Sequence, residues 1–197
     1  MSKYILFDAD GVLTLPEEIF SIVYARSHAL NAEPIETFFK NEWQQIVTGA
    51  KDLKESIAAN PEPWQWTGTV DELLDHWFKT EDVRNEELLT VIAELKNAGI
   101  PCYLATDQEK YRAAYMKNVM FKDLFNDYFV SADLGVTKTD PKFFELVLHR
   151  LKAQHPGLQP SEVIFFDDSQ AKVDTAKSVG IDARVFESNE QVRNILH

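Results

Sequence analysis

Two carboxylates two residues apart close the first apolar run of the chain, in Tyr4-Ile5-Leu6-Phe7-Asp8-Ala9-Asp10-Gly11-Val12-Leu13-Thr14. A carboxylate can attack an electrophilic phosphorus and carry the group as an acyl phosphate, so Asp8 reads as a nucleophile. A second one two residues on can move the leaving-group proton, the role expected of Asp10. Asp-Ala-Asp-Gly also opens calcium loops, but those need further oxygen ligands and a distal Glu at fixed spacing between two helices. The apolar Val12-Leu13 that follows excludes that reading.

Such chemistry needs a scaffold that holds Asp8 still. Tyr4 to Phe7 reads as a strand buried on both faces of a sheet, with Asp8 emerging where an open α/β sheet keeps its ligand crevice. Gly11 lets the chain turn sharply. From about Leu15 to Arg84 no strand is expected. Apolar residues there recur at helical spacing, as in Phe38, Phe39, Trp43, Ile46 and Val47, and imply about four inserted helices.

From Glu86 onward the rhythm alternates. A helix over 86–98 ends at Gly99, a strand is expected over 100–106, and a helix over 109–119 precedes a strand over 128–131. A helix over 141–151 and a strand over 163–166 follow, then a helix over 168–179 capped by Gly180, a last strand over 183–186 and a terminal helix. The fold class is therefore α/β: a Rossmann-like parallel sheet sandwiched by helices, with an inserted α-helical cap domain. The expected division is a core of 1–14 and 85–197 and a cap of 15–84.

Three further segments sit at strand ends of the alternating half: Ala105-Thr106-Asp107-Gln108, Val136-Thr137-Lys138-Thr139-Asp140-Pro141 and Phe165-Phe166-Asp167-Asp168-Ser169. Thr106 offers a hydroxyl to a phosphate oxygen, and Lys138 a point charge beside Asp8 and the phosphate. Adjacent carboxylates such as Asp167 and Asp168, at the end of an apolar strand, are costly unless a cation neutralises them; magnesium, which takes hard oxygen ligands, is the natural partner. In order and place these motifs resemble the haloacid dehalogenase superfamily of hydrolases, in its phosphatase branch with a helical, C1-type cap. The resemblance covers core and insertion alike. It implies an Asp8 nucleophile, an Asp10 acid and base, and a magnesium ion held by Asp8, the Asp10 carbonyl and Asp168, with Asp167 acting through water. Dehalogenases lack an aspartate at the Asp10 position because a halide leaves without a proton.

The expected activity is magnesium-dependent hydrolysis of a small phosphomonoester, a sugar phosphate or similar metabolite, through an aspartyl-phosphate. A phosphomutase of the same branch would share every core residue, and a catalytically silent module would keep the fold alone. Two positions depart from the pattern: Asp107 stands where a neutral residue is usual, and Lys172 where the helix after the acid pair often has Asn.

Composition narrows the partners. The 197 residues carry 32 acidic against 20 basic side chains, a formal charge of -12 that disfavours nucleic acid and anionic membrane. The start shows no signal-peptide pattern and no apolar run is long enough to span a membrane, which points to the cytoplasm. The lone Cys102 lies in an apolar run and is expected to pack rather than react. In the insertion, Arg26, Lys40, Lys51 and Lys54 read as exposed helix charges able to meet a second anionic group. Gly49 is expected at a tip facing the active site. The four Trp all fall in the insertion, where most should fill its core and one or two wall the crevice. No pattern defines an oligomeric state.

Overall fold

The computed structural model describes residues 4–196. Strand β1 (Tyr4–Phe7) leads into four helices, α1 (Phe20–Ser27), α2 (Glu33–Val47), α3 (Leu53–Ala59) and α4 (Val70–Thr80). The chain then alternates: α5 (Glu86–Asn97), β2 (Cys102–Thr106), α6 (Lys110–Tyr115), β3 (Tyr128–Val130), α7 (Ser131–Leu134), α8 (Pro141–Gln154), β4 (Val163–Asp167), α9 (Gln170–Ser178), β5 (Asp182–Val185) and α10 (Asn189–Arg193). All strand pairings are parallel and the order is β3-β2-β1-β4-β5, so β1 is central.

This order makes a switch point. Chain direction across the sheet reverses at β1, which opens a crevice beyond the carboxyl ends of β1, β2 and β4. Register then sets which residues meet there: Phe7 pairs with Leu104 on one side and Phe166 on the other, so the next residue, Asp8, stands beside Asp167. The Asp8 N–H donates to the Phe166 carbonyl at 2.9 Å and fixes that alignment.

The sheet is covered on both faces, as its unbroken apolar strands require. Ile5, Phe7, Leu104 and Phe166 pack against α5 and the segment after α6, while Leu6, Tyr103, Ala105 and Phe165 pack against α8 and α9. Helices α1 to α4 gather around a third apolar cluster of their own, centred on Phe20, Tyr24, Phe38, Trp64 and Trp77. Trp64 is its largest fully buried side chain.

Several boundaries differ from the sequence expectation for local reasons. Strand β2 begins at Cys102 rather than residue 100, because Pro101 has no N–H to give a ladder. The helix expected over 109–119 is split, α6 giving way to a π-helical turn, Met116–Met120, in which the Phe121 N–H reaches back to the Met116 carbonyl. The expected strand over 128–131 stops at Val130, and Ser131 starts the short α7 instead. Helix α9 starts at Gln170, two residues later than expected, since Asp167 Oδ1 accepts the Ser169 N–H at 2.9 Å and holds the strand exit open. Asp168 is thereby left outside the helix and exposed to the crevice.

Candidate active site at the carboxyl ends of the central strands

Beyond β1 the chain folds back at once. The Ala9 carbonyl accepts the N–H groups of Val12, Leu13 and Thr14, and Gly11 takes φ +82, in the left-handed region. A β-carbon on Gly11 would also meet the Asp168 carboxylate, which would have to move aside. The turn leaves Asp8 buried at the bottom of the crevice, its Oδ1 accepting the Ala9 N–H at 2.7 Å.

The loop before α8 delivers Lys138 into the same place. Its side chain is 0% exposed, with Nζ 2.5 Å from Asp8 Oδ1 and 2.7 Å from Asp167 Oδ2. Asp107 Oδ1 accepts the Lys138 N–H at 2.8 Å, which anchors that loop to the end of β2. Burial pushes the Asp8 carboxyl up to about 7 despite Lys138, and Asp167 beside it adds to the rise. Burial also opposes ionisation of Asp167, yet Lys138 and Lys172 hold its carboxyl below the usual range.

Carboxylate oxygens of Asp8, Asp167 and Asp168 lie within 4.8 Å of one another. Burial and the neighbouring Asp167 raise the Asp168 carboxyl above its ordinary value, as expected of an acid cluster short of positive charge. Around the crevice six carboxylates, Asp8, Asp10, Glu81, Asp107, Asp167 and Asp168, face three cations, Lys138, Lys172 and Arg112. A hard divalent cation matches both the oxygen donors and the missing charge, so the residues present fit magnesium.

Asp10 has partners that its sequence context does not show. Arg112, on the first turn of α6 and nearly fully buried, donates to Asp10 Oδ2 at 2.9 Å and to Oδ1 at 2.8 Å. Gln108 Nε2 donates to Oδ2 at 2.8 Å and the Thr14 hydroxyl to Oδ1 at 2.8 Å. Burial opposes the charge on Asp10, but the guanidinium more than offsets it and holds the carboxyl low. Arg112 also lies 3.3 Å from Glu81 Oε2, and that carboxylate accepts the Phe20 N–H at 2.8 Å and the Trp77 indole N–H at 2.9 Å. One guanidinium thus joins Asp10 to the two ends of the inserted helices. The local sequence carries no signal for this grip, since Gln108 precedes the N-cap Glu109 and Arg112 lies in the first turn of α6.

The two departures from the expected pattern face each other. Lys172 Nζ is 3.4 Å from Asp107 Oδ2 and 3.9 Å from Asp8 Oδ2. The charge of Asp107 therefore has a counter-charge at the lip of the site, and Lys172 adds a second cation near Asp8.

Most of these groups open into one cavity of 980 Å³, while Lys138 and Asp167 are fully buried behind its floor. Asp8, Asp10, Thr106, Asp168 and Lys172 form its floor, and the inserted helices supply the opposite wall, Trp43 and Trp77 included. Thr106 is buried at the end of β2. Of the basic residues of the insertion, Lys40 lines the cavity, while Arg26, Lys51 and Lys54 pair with Glu18, Glu42 and Asp71. Gly49 does not face the site. It takes φ +72 against the Ala132 backbone, where any β-carbon would clash, because the insertion docks there on α7. Cys102 is buried, its thiol pushed up to about 12 by burial, and it lies outside the cavity.

A parallel sheet whose central strand ends in a buried aspartate, with a lysine and an acid pair beside it at the switch point, defines an α/β protein of Rossmann-like architecture with its candidate site at the carboxyl ends of the strands. Residues 3–180 match the haloacid dehalogenase-like hydrolase family, and the chain belongs to it. It is 26% identical to a phosphorylated carbohydrates phosphatase of Thermotoga maritima, over 90% of this chain and 82% of that protein. A family enzyme of Bacteroides thetaiotaomicron, solved with magnesium and inorganic phosphate, superposes with a TM-score of 0.79 at 19% identity, covering 100% of both chains. A phosphatase of the family from Thermococcus onnurineus gives 0.67 at 21% identity, covering 98% of this chain and 97% of that one. Among the described residues no helix is long and apolar enough to cross a membrane.

Proposed function

We propose that this protein is a magnesium-dependent phosphatase that hydrolyses a small phosphomonoester in the cytoplasm through an aspartyl-phosphate on Asp8. The observation that carries the reading is the convergence of Asp8, Asp167 and Asp168 around the buried Lys138, with Asp10 on the same cavity. A phosphatase relative and a neighbour solved with magnesium and phosphate support it.

Asp8 attacks phosphorus with one carboxylate oxygen, the ester P–O bond breaks, and the departing alkoxide takes a proton from Asp10. Water then attacks the acyl phosphate, Asp10 takes its proton, and phosphate leaves. Lys138 holds Asp8 in line, and Thr106 and Lys172 bind the phosphoryl oxygens. Arg112 steadies Asp10 in its ionised form, the form needed as base. The proton that Asp10 takes from the attacking water in one turnover is the one it gives to the leaving group in the next, once the protonated carboxyl has turned from Arg112. Magnesium, held by Asp8, Asp168 and the Asp10 carbonyl with Asp167 behind them, would supply positive charge to the phosphoryl oxygens. Residues 15–84 act as a lid over the core formed by 1–14 and 85–197.

The test is phosphate release from a panel of phosphomonoesters, with magnesium or chelator, for wild type and Asp8→Asn. Release that needs the metal and falls by at least roughly a thousandfold in the variant is expected of a nucleophile. Isomerisation of a hexose phosphate without phosphate release would point to a mutase instead.

A further inference from the structure

The cavity is far larger than a phosphoryl group, and the wall facing the floor tells what fills the rest. Helix α2 sends two parallel stripes to it, each with a residue every fourth position. Phe39, Trp43 and Val47 form one; Glu36, Lys40 and Gln44, all exposed, form the other. The polar stripe is therefore a rim and the apolar stripe the wall. The segment between β1 and α1 extends that wall with Leu15 and Ile19, which are 45% and 57% exposed although both are large and apolar.

Polar groups behind this wall are already engaged. Glu81 Oε1 accepts the Phe20 N–H, and its Oε2 faces the Trp77 indole N–H and Arg112. Ser21 lines the cavity but is buried. A polyhydroxylated leaving group seated against Leu15, Ile19, Phe39 and Trp43 would exchange water for apolar side chains on that side, with partners for its hydroxyls only at the rim of Glu36, Lys40 and Gln44. A hydrocarbon would gain from the same contacts.

We infer that the substrate is a phosphomonoester of an aliphatic or aromatic alcohol, its hydrocarbon seated against Leu15, Ile19, Phe39 and Trp43, and that sugar phosphates are the poorer substrates. This inference rests on the phosphatase reading and specifies the leaving group of that same site.

Hexyl phosphate and 3-phenylpropyl phosphate would be compared with glucose 6-phosphate and glycerol 3-phosphate. All four are primary alkyl esters, so leaving-group acidity differs little and kcat/KM reports the fit of the alcohol. Acetyl phosphate, too small to reach the wall, reports the floor. At least a tenfold higher kcat/KM for the apolar pair is expected. The ratio of 3-phenylpropyl to acetyl phosphate should fall about tenfold in Trp43→Ala and several-fold in Ile19→Ser, a substitution at an exposed position that leaves the helix core intact. Sugar phosphates equal to or better than the apolar pair, or ratios unmoved in both variants, would overturn the inference. Binding decides the matter without turnover: 3-phenylpropylphosphonate should quench tryptophan fluorescence at tenfold lower concentration than 2,3-dihydroxypropylphosphonate, and equal affinities would also sink it. Loss of acetyl phosphate hydrolysis from the wild type, with the phosphonate preference intact, would instead refute the phosphatase reading alone.

Discussion

The floor and the wall of the cavity are built on opposite principles. On the floor nearly every side chain is charged, and each is placed by a strand end, a tight turn or an ion pair. Lys138 lies within 2.7 Å of two carboxylates and Arg112 within 2.9 Å of both oxygens of a third. In the wall packing dominates: Trp43 and Trp77 sit against aromatic neighbours such as Phe39, with ring centroids 5.6 Å and 5.3 Å away, and the Trp77 indole adds one hydrogen bond to Glu81. Charge in a buried site must be balanced pair by pair, which makes the floor intolerant of change. Apolar packing is redundant, so the wall can vary its shape while the chemistry stays the same.

Removing Lys138 should break that contrast most sharply. In Lys138→Met two buried carboxylates lose their shared partner, and activity should drop by roughly 10²–10³. The fold should weaken by about 3–5 kcal/mol, the usual cost of leaving a buried charge uncompensated. Urea unfolding beside phosphate release checks both, and a fully active, equally stable variant would show that the pairs do not hold the floor together.

Arg112 tests the link between floor and wall. Arg112→Lys keeps a charge but loses the two-pronged grip on Asp10 and the reach to Glu81. We expect kcat to fall about tenfold to a hundredfold, with KM changing little, because Asp10 is misplaced rather than substrate lost. A change confined to KM would instead place Arg112 on the substrate.

Asp107 and Lys172 sharpen the comparison further. Each alone departs from the motif pattern expected from the sequence, yet together they make a pair 3.4 Å apart. Lys172→Asn leaves Asp107 facing the phosphate, and about a tenfold loss of kcat/KM is expected. Asp107→Asn removes a repulsion and should cost less. The double variant should recover activity relative to Lys172→Asn, a coupling of about 1 kcal/mol in a double-mutant cycle. Strict additivity would mean that the two side chains act separately.

These partnerships also explain what could be read before the fold was seen. Apolar runs ending in acid, such as Tyr4 to Asp8 and Val163 to Asp168, announce buried strands with carboxylates at their ends, because burial and strand-end charge are both written locally. The grip of Arg112 on Asp10 spans 102 residues, and nothing near Arg112 distinguishes it from a solvated helix arginine. The short helix α7 is similar. Its first residue, Ser131, donates its hydroxyl to the Val47 carbonyl of the insertion at 2.6 Å, a tertiary contact that ends the strand early. Gly49 read as a tip toward the site for the same reason, since its docking surface on Ala132 is distant in sequence.

The smallest effect is expected at the seam between the two regions, on Asp52. This residue caps α3, accepting the Glu55 N–H at 3.1 Å, and its other oxygen accepts the Tyr111 hydroxyl at 2.7 Å and faces Lys110 of α6 at 2.5 Å. Burial works against its charge, but Lys110 and Tyr111 prevail and hold the carboxyl at about 2. The folded value lies below the unfolded one, near 3.9, so the ionised group stabilises the fold fully above that pH. The contribution is lost as pH falls through the folded value. Asn caps a helix as well as Asp does, so Asp52→Asn removes the charge and spares the cap. Lys110 is exposed and screened, which limits the loss to about 0.2–1 kcal/mol at neutral pH. Urea unfolding of both proteins should show a gap that is constant above about pH 5 and closes toward pH 2. A gap that persists in acid would mean that Asp52 holds the insertion to α6 through its hydrogen bonds and not its charge.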